Sequence, residues 1–439
     1  MTYISMPLKS SHRDILEALN RHGFEAYVVG GAVRDYIAGR GNKDVDITTS
    51  ATPDEVRAVF PNAELVGAHF GVSLVKTGGE TVEVATFRND GVYRDGRHPE
   101  SVAYTTSVIE DLKRRDFTMN ALLANANGIV IDMVGGIDDI RTKTVRAIGD
   151  PVQRFSEDAL RMLRAIRFAC KLGFSIDPAT LDGIREHAHT IHSISQERIA
   201  EELSRILTSG RAAEGVELLD QTNLLRLILP EIDALKGCPQ NPVWHPEGDV
   251  FVHTLGLLRQ LDAGCSLTLA LAALLHDVGK PLVLEFTPEG MPTQHGHDVE
   301  GAKLGAQILS RLKFSTEVRE TVCAHIDQHM VFTRLSEMRM AKQVRFVRQP
   351  AFPELLALHK LDCMSSRGDL TAYDYASSLL NQTPAEVLRP ERLITGNDLI
   401  KIGLKPGPAF RRILAELESL QIEGQITTRE EALSLALTL

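Results

Sequence analysis

The stretch Lys43 to Ser50 reads KDVDITTS, two aspartates one residue apart inside a β-prone run. Side chains in a strand alternate faces, so Asp44 and Asp46 are expected to point one way and Val45 and Ile47 the other. Two carboxylates sharing a patch repel, and the pKa of one rises unless a cation sits between them. Hard divalent ions such as Mg²⁺ take an oxygen site of this kind. A lone DxD is more often a solvated strand edge, so its neighbours decide. Just upstream, EAYVVGGAVRDYIAG passes from a β-branched run through Gly30 and Gly31 into a helical segment carrying Arg34 and Asp35. A glycine pair at such a turn lets backbone N–H groups approach a phosphate, and a helix N-terminus favours negative charge there. No GKS or GKT follows, which excludes a Walker loop. The glycine turn and DVD together describe a triphosphate held against two metal-binding carboxylates, the requirement of two-metal nucleotidyl transfer.

The elements that must position these residues fall into two patterns. With 439 residues the chain needs more than one core, and 43% hydrophobic and 24% charged residues are those of a soluble globular protein. No apolar run approaches the roughly 18 residues of a bilayer span. The opening MTYISMPLKSSHRD has no apolar core of an export signal, and the five cysteines form no CxxC pair. Both suit a reducing, cytoplasmic setting and exclude a cysteine-type zinc knuckle. The formal net charge of −10 argues against a generic nucleic-acid coat, while leaving room for local basic clusters. The first 150 residues mix strand-like and helix-like segments with many glycines; after Pro151 helical periodicity dominates.

Four ordered stretches resemble the class II tRNA nucleotidyltransferases and bacterial poly(A) polymerases. GGAVRD with DVD resembles the catalytic head, and EVATFRNDGVYRDGRHP (83–99) the strand and loop of the CCA-adding enzymes. DLKRRDFTMNALL (111–123) resembles the ribose and triphosphate motif, and RFSEDALRMLRAIRFA (154–169) the nucleotide-selecting helix. The resemblance implies that Asp44 and Asp46 hold Mg²⁺, with Glu83 as a third catalytic carboxylate. It implies that Gly30, Gly31, Arg34, Arg115, Asp116, Asn120, Asp158, Arg161 and Arg164 bind the nucleotide. The partners implied are tRNA, CTP and ATP, with no membrane. Poly(A) polymerases of the superfamily typically carry a GRRF-type element after the second strand. Here VGAHFGVSLV places Ala68 and His69 where its arginines would be, which favours the tRNA enzymes. The loop over Arg88 to Pro99 implies adenosine addition without separating full CCA addition from an A-adding specialist or a poly(A) polymerase.

The helical half carries DVFVHTLGLL, ALLHDVGKP, HGHDVEGAKL, CAHIDQH and LHKLDCMSSRGD in that order. The doublet His276-Asp277, with His253 before and Asp362 after, resembles the HD phosphohydrolase superfamily. That likeness implies a divalent metal held by these four residues and a second one reached by His297 and His325. It implies a phosphatase or 2′,3′-cyclic phosphodiesterase; a remote alternative is an HD phosphohydrolase whose head merely presents RNA.

The expected fold is α+β: an α/β nucleotidyltransferase head over 1–150, then an all-α neck over 151–240, an HD-type body over 241–380 and a tail over 381–439. Asp158 and Arg161, three apart on a predicted helix, share one face. A carboxylate there accepts from the amino group of cytosine or adenine, while a guanidinium donates to the adjacent ring nitrogen. Lys405, Arg411 and Arg412 in the tail are expected near RNA phosphate.

Overall fold

The computed structural model of the chain describes residues 4–41, 44–66, 71–90 and 102–439. Ala68, His69 and most of the loop from Arg88 to Pro99 therefore lie outside the described residues. Two compact units are present, residues 1–233 with 262–264, and residues 234–261 with 265–439.

The first unit is built on β1 (Ala26–Val29), β2 (Asp46–Thr49), β3 (Glu64–Val66), β4 (Val72–Thr77) and β5 (Glu80–Thr86). A short pair, β6 (Arg88–Asp90) and β7 (Val102–Tyr104), stands apart, while β8 (Leu123–Ala124) and β9 (Val130–Ile131) complete the sheet. Its order is β3-β4-β5-β2-β1-β8-β9, with β2 parallel to β5 and the other neighbours antiparallel. The AYVV run of β1 is central because Val28 and Val29 have no polar side to offer solvent; both are buried. The strand expected through KDVDITTS begins only at Asp46, so Asp44 precedes it and strand alternation does not account for its position.

From Pro151 onward the first unit is helical. Asp150 accepts from the Val152 N–H at 3.1 Å and Pro151 takes the first turn, where no N–H is needed. Helices Leu160–Leu172, Pro178–His187, Gln196–Leu207 and Ala212–Gln221 follow.

The second unit is helical, with two-residue strands Glu285–Phe286 and Pro292–Thr293 pinning one loop. Helix Leu267–Leu275, LTLALAALL, is apolar all round and buried throughout its second half, as a central helix must be. His276 and Asp277 follow directly on its C-terminal end. Gly279 then lets helix His297–Arg311 close in, since a Cβ there would lie 2.2 Å from the His297 carbonyl oxygen. The tail helices Gly396–Lys401, Pro408–Ile422 and Arg429–Ala436 share a core of Ile394, Leu399, Ile413 and Leu417.

Candidate functional site

The carboxylates of the head converge. The parallel register of β2 on β5, with Ile47 opposite Val84, sets Asp46 beside Glu83 one step earlier on both strands. Asp44, Asp46 and Glu83 line a cleft of about 370 Å³ together with Lys9, His12 and Glu80. Partial desolvation and the neighbouring Glu83 charge raise the pKa of Asp46, with Asp44 adding to the rise and Arg115 opposing it. That is the repulsion expected of a carboxylate cluster, and it is the charge pattern that a divalent ion relieves. Lys9 donates to Glu80 at 2.5 Å and Ser11 at 2.9 Å. Sequence reasoning missed Lys9, His12 and Glu80, since no spacing ties the N-terminal segment or the start of β5 to DVD.

Gly30 makes the turn from β1 into the next helix. Its φ of +75° is one that side chains with a Cβ rarely adopt, and a Cβ there would sit 3.8 Å from Arg115 Nη1. Gly31 begins the helix Gly31–Ile37. Arg115 is aimed by Asp111, a fully buried carboxylate that accepts from Arg115 Nη2 at 3.0 Å and from Arg114 Nη2 at 2.7 Å. Arg114 and Arg115 of the KRR triplet are thus anchored, while Lys113 is exposed.

Four of the expected nucleotide residues form one chain, buried at Arg34, Asn120 and Asp116 and partly exposed at Arg164. Arg34 Nη1 donates to Asn120 Oδ1 at 2.6 Å, and Asn120 Nδ2 donates to Asp116 Oδ1 at 3.0 Å. Arg164 Nε and Nη2 donate to Asp116 Oδ2 at 2.9 and 2.5 Å. Burial opposes ionisation of Asp116, yet the Arg164 charge and the Asn120 hydrogen bond hold it down at about 2. The guanidinium groups of Arg34, Arg164 and Arg167 lie 5.2, 5.6 and 4.3 Å from the centre of the Phe168 ring, a face that tolerates gathered cations.

Asp158 and Arg161 do not share a helix face. Helix Pro151–Glu157 stops before Asp158, whose extended backbone (φ −144°, ψ 105°) separates it from helix Leu160–Leu172. The reason is local: the Asp158 carboxylate accepts from the Leu160 N–H at 3.0 Å, and such self-capping competes with helix continuation. Its other oxygen faces Arg198 Nη2 at 3.3 Å. Arg161 is buried and turned elsewhere, donating to Glu157 Oε2 and to the Arg114 carbonyl, both at 2.7 Å, and to the Arg154 carbonyl at 3.1 Å.

In the second unit, His253 Nε2 lies 3.0 Å from Asp362 Oδ1, 3.3 Å from His276 Nε2 and 3.7 Å from Asp277 Oδ2. On the other side of Asp277, His297 Nε2 stands 3.4 Å from Oδ1 and 3.2 Å from His329 Nε2. His325 is not part of this group. Its ring faces Glu354 at 3.5 Å, and His329, one turn further on, occupies the place expected of it. Every Nδ1 of the four inward histidines faces an oxygen: Glu247 for His253, and the carbonyls of Ala273, Gln294 and Ile326 for His276, His297 and His329. Those oxygens only accept, so Nδ1 carries the proton and the Nε2 lone pairs point inward. Nε2 atoms that face each other at 3.3 and 3.2 Å repel when both carry lone pairs, and a metal ion between them, or a proton on one of them, relieves this. Burial would lower His253, but Asp362 and Glu247 raise it to about 9, the mark of a site that draws positive charge. Burial and the neighbouring His297 and His276 hold His329 down at about 4, a neutral ligand. The donor set therefore fits divalent metal. Glu247, His245 and Lys280 were missed by the sequence reading. Lys280 Nζ bridges Asp277 Oδ2 at 2.7 Å and Gln240 Oε1 at 2.5 Å.

Models of known families match four parts of the chain. Residues 26–146 match the poly A polymerase head domain, 173–236 the RNA and SrmB-binding segment of polymerase A, 250–350 the HD domain and 301–437 tRNA nucleotidyltransferase domain 2. A CCA-adding enzyme of Levilactobacillus brevis is 33% identical over 97% of this chain and 96% of its own length. That of Anoxybacillus flavithermus is 46% identical over 51% of this chain, a match spanning 56% of that enzyme. The Bacillus stearothermophilus CCA-adding enzyme, solved in complex with CTP, superposes with a TM-score of 0.74 at 27% identity over 98% of both chains. The chain belongs to the CCA-adding enzyme family of tRNA nucleotidyltransferases, with an HD domain. Among the described residues no helix is long and apolar enough to cross a membrane.

Proposed function

We propose that the chain adds CCA to tRNA 3′ ends from CTP and ATP in the cytoplasm, without a nucleic-acid template. The observation that carries this reading is the convergence of Asp44, Asp46 and Glu83 in one cleft lined also by Lys9 and His12, with the Asp46 pKa raised by its neighbours. In the reaction the tRNA 3′-hydroxyl loses its proton to solvent, its oxygen bonds to the α-phosphorus, the bond to the β-phosphate oxygen breaks, and pyrophosphate leaves. Mg²⁺ at Asp44 and Asp46 would activate the 3′-hydroxyl and brace the α-phosphate. The residues of the chain supply position: Gly30 and Gly31 let backbone approach the triphosphate, Arg115 offsets its charge, and the Arg34–Asn120–Asp116–Arg164 chain orients sugar and phosphate. Relatives solved with CTP and, for Thermotoga maritima, with tRNA_CCA support these partners.

Base choice is assigned to Asp158 and Arg161. For both to face one base, Arg161 has to leave Glu157, and Asp158 has to turn from Arg198; substrate-driven assembly of the pair is itself a filter. Lys405, Arg411 and Arg412, all exposed, are assigned to tRNA phosphate.

The second unit is assigned a phosphohydrolase activity, in which water's oxygen bonds to phosphorus and a ribose oxygen leaves with the proton. The inward Nε2 atoms of His253, His276, His297 and His329 with Asp277 and Asp362 support it. Divalent ions there would supply an activated water. The test of the first reading is incorporation from each NTP into tRNAs ending before CCA, after CC, or complete. Sequential addition of C, C and A is expected, and no incorporation with any pair would end it.

A further inference from the structure

We propose that Trp244 and Arg367 form a nucleobase-stacking platform beside the HD metal site, so that the phosphoester taken there belongs to a nucleotide or an RNA end. The proposal rests on reading that site as a phosphohydrolase. Trp244 is the only tryptophan in 439 residues and is 60% exposed. An exposed tryptophan by itself needs no explanation, but this one stands directly before His245, whose Nδ1 bonds Glu247 Oε1 at 2.9 Å. The same Glu247 oxygen holds His253 at 2.7 Å, and the His245 and His253 rings meet edge to face at 4.8 Å. The Arg367 guanidinium lies 5.1 Å from the centre of the indole. Arg367 comes five residues after Asp362, beyond the end of the helix Phe352–Ser365 that carries it. Both halves of the platform therefore belong to the segments that supply the metal cluster. Val243, next to the indole, is 58% exposed and extends its apolar surface.

The chemistry selects a flat π-system joined to a phosphate. Every base offers a π-face, so stacking on an aromatic side chain is available whatever the base. An arginine against the indole fixes its plane and leaves positive charge beside the phosphate. An aliphatic phosphoester would gain the metal but nothing from the platform.

Because Trp244 is the only tryptophan, fluorescence of the full, metal-loaded chain reports on it directly. The probes are adenosine 3′-monophosphate, a short oligoribonucleotide ending in 3′-phosphate, and glycerol 3-phosphate. Quenching is expected with the first two and not with the third. Quenching by the oligoribonucleotide alone marks an RNA end as the source, and equal quenching by both marks the nucleotide as sufficient. By calorimetry, Trp244→Ala should weaken binding of adenosine 3′-monophosphate about tenfold and Trp244→Phe much less. Equal response to glycerol 3-phosphate, no response to any probe, or unchanged affinity in Trp244→Ala overturns the platform. The activity reading fails separately: it falls if the loaded wild-type chain hydrolyses none of the phosphoesters, whatever the fluorescence does.

Discussion

The two acidic sites of this chain treat positive charge in opposite ways. In the head, carboxylates stand at the rim of a sheet, with Asp44, Asp46 and Glu83 all exposed, and a cation is opposed mainly by oxygen. In the second unit, four buried imidazoles and Asp277 face inward, each ring fixed by an oxygen behind it. The first arrangement suits an ion that keeps waters and takes further ligands from a triphosphate, as Mg²⁺ does. The second is closer to an all-protein cage whose nitrogen donors suit transition metals. On the reading proposed above, substrate would complete the head site, whereas the fold itself gathers the donors of the other.

The largest effects should separate the two. Asp46→Ala is expected to lower nucleotide addition by about 10³-fold, in keeping with loss of a transition-state charge partner. It should leave metal content of the second unit unchanged, as read by elemental analysis after dialysis. His276→Ala should do the reverse, losing bound metal and sparing addition of C and A. Loss of both properties in either folded variant would break the contrast.

Next in size is base choice. Arg161→Ala and Asp158→Ala should raise UTP and GTP incorporation relative to CTP and ATP by tenfold or more, measured by misincorporation kinetics on tRNA lacking CCA. Arg161→Ala should also cost about 2 kcal/mol of stability, because its guanidinium serves Glu157 and two backbone carbonyls. Unchanged selectivity in both variants would move recognition elsewhere.

Asp116 sharpens the comparison through pH. Its carboxyl is held at about 2 in the folded chain against an ordinary 3.8, so the unfolded chain binds the proton more readily. The stabilisation is complete above about pH 4 and is lost as the pH falls towards 2. Asp116→Asn should remove about 2 kcal/mol of stability at neutral pH and flatten that acid limb in unfolding titrations. The smallest effect belongs to the tail: Arg411→Ala with Arg412→Ala should weaken tRNA binding modestly and reduce the salt slope by about 1–2. An unchanged slope removes them from the footprint.

Much of the site was legible because it is written in short segments. The turn through Gly30 and Gly31, DVD, and the HD doublet each depend on neighbours in sequence, and local chemistry dictates them. The ordered run of His253, His276, Asp277, His297, His325 and Asp362 likewise supplies candidate metal ligands before any fold is known, and all but His325 come together. What tertiary structure decided is which copy of a residue type points where. His325 lies in the helix Thr316–Gln328 and His329 directly after its end, one turn on, and only packing against Glu354 on one side and Asp277 on the other tells them apart. Asp158 and Arg161 have helical spacing, yet a carboxylate that caps its own backbone breaks the helix between them. Glu83 reaches Asp46 through strand register, and Trp244 reaches Arg367 across more than a hundred residues. Sequence fixes donor types and local turns because those follow from short-range sterics and hydrogen bonding. Convergence of distant side chains is set by the burial of whole faces, which no short window contains.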